Sequence, residues 1–419
     1  MANIREIKML KLQQMIRDDI EDGDYNPLMV FGKAGVGKTE CLKSIAASMG
    51  IGYKEVRLIT MSEIDMYGLP TIVEVPVFDQ SGQVIEGQTR RVTVYVTPGM
   101  FPDARSDGDV GILVLDEITS CQPQVRAAAY QLLDVTRGLG EYRLPEKWKV
   151  IAIGNGEEDG GVFNGMESAF VSRAMTYRVE PDFASWSAWA VENGVNSAII
   201  AFLKHGFMEG TGIADTDRSI GLLHRFDEDD VSSPFPCPRT WKKLSDKLNR
   251  AEKRVGKGKV DIEDVEIYAG GAVGEMVAAQ FAAFYAYSKN IINPDDVLAG
   301  KENGANMKNY NTQESYLIVQ SVVSALAREL DADPHKNGVY SEDSVNKTAN
   351  VCNWVVQVAE NARLDYALDI LQTLNNNVKG FVNIVLMDDL MSDESVFDKK
   401  CPGFLDFANK HSIVLGGTV

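Results

Sequence analysis

An α/β core built on a parallel sheet, followed by a long run of helices, is the fold class that this 419-residue sequence predicts. Three observations carry that expectation. Continuous apolar runs at Leu28 to Phe31 (LMVF), Gly111 to Leu115 (GILVL) and Lys149 to Ile153 (KVIAI) read as strands buried on both faces. A glycine-rich turn joins the first of them to a helical segment. After Pro181 strand signal nearly vanishes and helical periodicity takes over, which predicts an α/β core followed by helical domains.

In chain order, Ile4, Ile7, Met15, Ile16 and Ile20 make an approximate helical stripe, with Asn3 available as its N-cap. Thr39 to Met49 reads as a helix and Tyr53 to Thr60 as the second strand. From Thr71 to Thr97 the pattern alternates as TIVEVPVF, a DQSG turn and RRVTVYVT, a β-hairpin signature. Gln124 to Val135 is helical, Arg137 to Leu144 (RGLGEYRL) suggests a second small hairpin, and Met175 to Val179 one more strand. Beyond Pro181, Trp186, Trp189 and Ala190 start a helix. Trp241 to Lys253 forms another, rich in Lys and Arg. Ala299 to Asn311, rich in Gly and Asn, reads as a linker, and Glu314 to Leu330, Ser344 to Glu360 and Ala362 to Val378 as helices. The three tryptophans suit a core, and Asp227, Glu228, Asp229 and Asp230 a solvated loop.

The length suits two or three domains and a large core that needs neither disulfides nor metals. With 42 basic and 60 acidic residues, the net charge of −18 disfavours general binding to phosphate backbones. Cys41, Cys121, Cys237, Cys352 and Cys401 are odd in number and lack C-x-x-C pairing, as buried thiols of a reducing compartment would. The four histidines are scattered without zinc-ligand spacing. The charged N-terminus does not read as a signal peptide. Ile267 to Tyr287 resembles a membrane span, but Glu275 near its middle would cost roughly 2.5–3.5 kcal/mol there. Its many Ala and Gly residues suit a closely packed buried helix. A cytoplasmic protein without a membrane span is expected.

The strongest motif is Gly32, Lys33, Ala34, Gly35, Val36, Gly37, Lys38, Thr39, a full match to G-x-x-x-x-G-K-[ST] between a strand and a helix. The glycines let the backbone curl so that successive N–H groups point at phosphate oxygens, and the helix N-terminus adds its positive dipole end. Lys38 would reach the β- and γ-phosphates of ATP, and the Thr39 hydroxyl would bind Mg2+. Glu40 completes this nucleotide-binding stretch in the first helical turn.

Asp116 and Glu117 end the GILVL run, where parallel sheets bind ligands. Asp116 would hold the magnesium shell with Thr39, and Glu117 would polarise the attacking water. Asn155, at the end of IAIGN, is suited to hold a water near the γ-phosphate, although Asn-Gly also simply makes turns.

The ordered set GKAGVGKT, ILVLDE, IAIGN, SRAMTYRVEPD and PRTW resembles the AAA+ ATPases, and among them the MoxR family, over roughly residues 25 to 250. MYGLP and QVRAAAYQLLD resemble it too. The resemblance implies an α/β P-loop AAA+ core with a parallel sheet and an inserted β-hairpin (residues 1–182, insert about 71–97). A helical lid (183–298) and a C-terminal helical region (299–419) would follow. It gives Asn155 the sensor-1 role, Arg173 that of the arginine finger acting on a neighbouring subunit's nucleotide, and Arg239 that of the sensor-2 arginine. The family's finger is usually followed by Phe, whereas Ala174 and Met175 follow here, which leaves Arg178 as an alternative. The hairpin, with its tip at Asp79 to Gln83, would face the pore of a ring or be an ordinary edge hairpin.

What the resemblance implies is a Mg2+-dependent ATPase forming a ring, expected to be a hexamer, that remodels or matures a protein partner. A von Willebrand factor A domain protein is one such partner of the family. Two other functions are compatible with the same core: a nucleotide-dependent scaffold with little hydrolysis, and a nucleic-acid motor, against which the charge weighs.

Overall fold

A computed structural model describes residues 4–156, 173–209, 222–226, 232–334, 340–361, 363–387 and 396–411, with 413 and 415. The chain forms two compact units, Met1–Pro181 and Asp182–Val419.

In the first unit the elements run β1 (Arg5–Ile7), α1 (Met9–Glu21), β2 (Leu28–Gly32), α2 (Lys38–Met49), β3 (Gly52–Arg57), α3 (Glu63–Tyr67), β4 (Leu69–Phe78) and β5 (Val84–Val96). Next come α4 (Ala104–Asp107), β6 (Val110–Asp116), α5 (Pro123–Leu133), β7 (Gly138–Leu139), β8 (Tyr142–Arg143), β9 (Lys147–Gly154) and β10 (Met175–Val179). Six strands make one sheet in the order β1-β10-β2-β9-β6-β3, and every pair in it is parallel. Period-two alternation sends Leu28 and Val30 to one face, against Leu12, Ile16, Leu42 and Ile45 of α1 and α2. Met29 and Phe31 go to the other, against Val125, Ala128 and Leu132 of α5. Both faces are covered, which is why these strands read as unbroken apolar runs.

β4 and β5 form a separate antiparallel ribbon and β7 and β8 a second, as the alternation predicts. Asp79 shapes the first turn, its carboxylate accepting the Ser81 and Gln83 N–H groups at 2.8 and 3.0 Å.

The N-terminal stripe is divided. Arg5–Ile7 pairs with β10 as an edge strand and the helix starts at Met9, so Ile4 and Ile7 are not on it; Asn3 lies outside the described residues. A partner strand some 170 residues away supplies the backbone hydrogen bonds there and overrides the local periodicity. The second strand ends at Arg57, and Leu58–Thr60 is a single 3-10 turn.

The second unit is helical: α6 (Phe183–Glu192), α7 (Ser197–Glu209), α8 (Pro238–Val255), α9 (Ile262–Val273), α10 (Glu275–Tyr285) and α11 (Pro294–Leu298). It continues through α12 (Thr312–Ala332), α13 (Glu342–Asn361), α14 (Leu364–Asn377), α15 (Phe381–Met387), α16 (Val396–Lys400) and α17 (Phe404–Lys410). One apolar core runs through it from Trp186 to Ala408 and includes Trp241 and Trp354.

Two expectations change here. The apolar stretch from Ile267 to Tyr287 is two helices broken at Gly274, whose φ of 86° terminates α9. Among the described residues no helix is long and apolar enough to cross a membrane. Residues 299–311 contain a 3-10 helix, Gly304–Asn309, with Met307 buried. A Cβ on Gly304 would lie 2.4 Å from the Trp354 carbonyl oxygen, so this segment is packed against α13 despite its linker-like composition. All five cysteines are free and buried. The acidic run Asp227 to Asp230 lies outside the described residues.

Candidate functional site

The glycine loop leaves the C-terminal end of β2 at the middle of the sheet. Gly35 (φ 79°) and Gly37 (φ 99°) are left-handed, a conformation that L side chains strain to adopt. Gly32 has a different reason: a Cβ there would stand 2.5 Å from the Val179 carbonyl oxygen of β10. Lys38 opens α2 and folds its ammonium back over the loop. Its Nζ donates to the Gly32 and Lys33 carbonyls at 2.5 and 3.0 Å and to Asn155 Oδ1 at 3.3 Å.

Asp116 ends β6, and its Oδ2 accepts the Thr39 hydroxyl at 3.4 Å. Burial pushes its carboxyl above the ordinary carboxylate range, and Glu55 adds to this, while the Glu117 N–H and the charges of Arg57 and Lys38 act the other way. Glu117 has φ 59°, a left-handed conformation that costs a non-glycine residue about 1–2 kcal/mol. Two bonds hold it there: its N–H donates to Asp116 Oδ1 at 2.8 Å, and the next N–H, of Ile118, donates to the Ile153 carbonyl at 3.1 Å.

Asn155 follows β9, which lies between the strands that carry the glycine loop and the acidic pair. Thr119, fully buried, accepts the Asn155 N–H at 3.2 Å. A Cβ on Gly154 would come within 2.7 Å of the Thr119 side chain, so only glycine lets the two strand ends meet this closely. Sequence reasoning missed Thr119; a lone Thr two residues past an acidic pair carries no signal of its own.

The structure therefore brings together Gly32 to Thr39, Asp116, Glu117 and Asn155 at one edge of the sheet. Glu40 is exposed on the first turn of α2, and Val36 is buried. The donor set suits a nucleotide with a magnesium ion: left-handed glycines free backbone N–H groups, Lys38 supplies a cation, and Thr39 and Asp116 are the hard oxygen ligands that Mg2+ takes.

The arginines are placed differently. Arg178 lies in β10 one residue before Val179, whose register partner is Gly32, so it sits at the loop edge. It pairs with Glu180 at 2.7 Å, and Glu180 also faces Lys33 at 3.8 Å. Arg173 precedes β10 at the opposite edge of the sheet, where its Nε lies 3.5 Å from Asp134. Strand β10 alone separates the two edges by roughly 13 Å, so Arg173 does not join the loop of its own chain. Arg239 is exposed near the start of α8, in the second unit.

No family model and no curated protein matches this chain. Among solved structures, it is similar to RuvB of Thermotoga maritima, a Holliday junction branch migration motor, at 10% identity over 70% of this chain and 74% of that one, with a TM-score of 0.32. It is also similar to Hsp104 in a closed state with ATPγS and casein, at 13% identity over 65% of this chain and 43% of that one, with a TM-score of 0.30. Overlap this slight assigns nothing to the present chain.

Proposed function

We propose that this chain is a Mg2+-dependent ATPase of the AAA+ superfamily and MoxR type, working as a cytoplasmic ring that remodels or matures a protein partner. The observation that carries the reading is the convergence on Lys38: the glycine loop, Asn155 and, through Thr39, Asp116 meet around one ammonium group. The ring is a hexamer, a von Willebrand factor A domain protein is its kind of partner, and residues 183–298 serve as the lid.

Thr39 and Asp116 would hold Mg2+, which would supply charge neutralisation to the bound phosphates. Lys38 releases its two backbone carbonyls to meet the phosphates, since a charged acceptor outcompetes neutral ones. Glu117 orients the attacking water and takes its proton, and Asn155 holds that water in line. Little covalent chemistry falls to the protein; positioning and charge stabilisation supply the rate.

The finger role of Arg173 is supported by its position at the far edge of the sheet, from which it serves only a neighbouring subunit. Arg178, at the loop edge and paired with Glu180, is placed to organise the loop of its own chain.

The deciding experiment is the specific rate of ATP hydrolysis against protein concentration. A rate that climbs and then saturates is expected from sites assembled between subunits. Mixing Arg173→Ala with Lys38→Ala protein is expected to restore part of the activity that each lacks. A concentration-independent rate, or no rescue under demonstrated subunit exchange, would overturn the shared site.

A further inference from the structure

We propose that the groove between α8 and α9 docks an acidic segment of another protein, one that inserts an apolar side chain. The groove is an open depression of about 530 Å3. Phe235 forms one wall, Leu244 the floor, and Lys243, Lys247, Ile267 and Tyr268 the rim.

The shape is built in advance. The Thr240 hydroxyl donates to the Phe235 carbonyl at 2.9 Å, tying the wall to the first turn of α8. A Cβ on Gly274 would lie 2.7 Å from the Pro234 carbonyl oxygen, so the same wall rests on the break between α9 and α10. Lys247 Nζ stands 4.8 Å from the ring centre of Tyr268, which holds the ammonium at the rim. Ile267 is 63% exposed beside it, a large aliphatic side chain left open next to the groove.

The charge of α8 opposes that of the whole chain, whereas α9 across the groove carries Glu263, Asp264 and Glu266 and no cation. α8 carries seven cations and only two carboxylates, within a protein of net charge −18. Both carboxylates are engaged: Asp246 by Lys242 at 2.5 Å, and Glu252 by Asn196 and Tyr285 at 2.8 and 2.7 Å. Lys243, Lys247, Arg250 and Arg254 are spaced as one helical row and are exposed. Among the described residues none of the four has an ion-pair partner.

A local row of exposed cations beside an open apolar groove complements an acidic peptide that carries one apolar anchor. A phosphate polymer matches it less well. It has no aliphatic anchor to place against Ile267, Leu244 and Phe235.

The test needs no nucleotide and so is independent of the ATPase reading. Binding of a fluorescent Asp/Glu peptide of about twelve residues with one central Leu is followed by anisotropy on the full chain. Saturable binding is expected, weakened about tenfold or more by K243E/K247E, by Ile267→Ser and by replacing the peptide's Leu with Ser. All the protein changes lie at exposed positions, and unaltered thermal melts establish that each variant is folded. The proposal is overturned by absent or non-saturable binding, or by binding that K243E/K247E leaves intact. It is equally overturned if polyphosphate or single-stranded DNA outcompetes the peptide. Binding that arises only after Asp227, Glu228, Asp229 and Asp230 are changed to amides would make the chain's own acidic run the occupant, which also overturns it.

Discussion

The Thr39 hydroxyl donates to Asp116 Oδ2 at 3.4 Å, joining the helix that follows the glycine loop to the end of a strand 77 residues later. The pair presents two oxygens of the kind a magnesium ion takes, on elements that the sheet holds rigidly. Thr39→Val keeps the shape of the side chain and removes the hydroxyl. Mg2+-dependent ATP affinity is expected to fall about tenfold or more, while affinity without Mg2+ changes little. Nucleotide titrations with and without the metal read both arms.

Lys38→Ala removes the cation that the loop carbonyls and Asn155 hold. ATP binding is expected to weaken by about 100-fold or more. Calorimetric titration checks this, and unchanged affinity would contradict the assignment of the loop.

Glu117 is held at φ 59°, and its backbone strain and its chemistry are separable. Glu117→Gly is expected to stabilise the fold by about 0.5–1 kcal/mol, because glycine adopts that conformation freely. Glu117→Gln keeps the strain. Both are expected to bind ATP and to lose turnover by about 100-fold or more. Urea unfolding beside steady-state hydrolysis distinguishes the two effects.

Lys149 is fully buried in β9, donating to the Asp24 and Asn26 carbonyls at 2.9 Å each and pairing with Asp19 at 2.9 Å. Lys149→Met keeps the volume but leaves a carboxylate and two carbonyls without their cation. A loss of about 3 kcal/mol is expected in chemical denaturation, with ATP affinity falling only as the folded fraction does.

Gly52 and Gly111, register partners on β3 and β6, form a slot for the Trp148 indole; a Cβ on either would approach the ring to 2.6 Å. Trp148 Nε1 donates to the Gly108 carbonyl at 2.9 Å. Gly111→Ala is expected to cost about 1–3 kcal/mol and to change the fluorescence of Trp148, since the ring must move.

Much of the core is legible in the chain itself. LMVF, GILVL and KVIAI read as strands because burial on both faces demands apolar residues without interruption. The alternation from Thr71 to Thr97 reads as a hairpin because a two-stranded ribbon needs no other partner to set its register. Gly32 to Thr39, Asp116 and Glu117 are legible because phosphate binding and metal ligation need particular residue types at particular strand ends. Lys149 is the counterexample: inside an apolar run it reads as one more strand position, and nothing local announces Asp19 and two carbonyls waiting for it.

By itself the sequence determined the buried core strands, the hairpin, the longer helices and where a phosphate-binding turn lies. These follow from local periodicity and from the backbone freedom of glycine. Only the tertiary structure decided that Ile7 pairs with β10 instead of joining α1, that Gly274 breaks the apolar stretch and that residues 299–311 are packed. It also decided that Arg178 lies at the loop edge of the sheet while Arg173 lies at the other. Each of these depends on a partner distant in sequence, and contacts of that kind outweigh local preference once the chain has closed on itself.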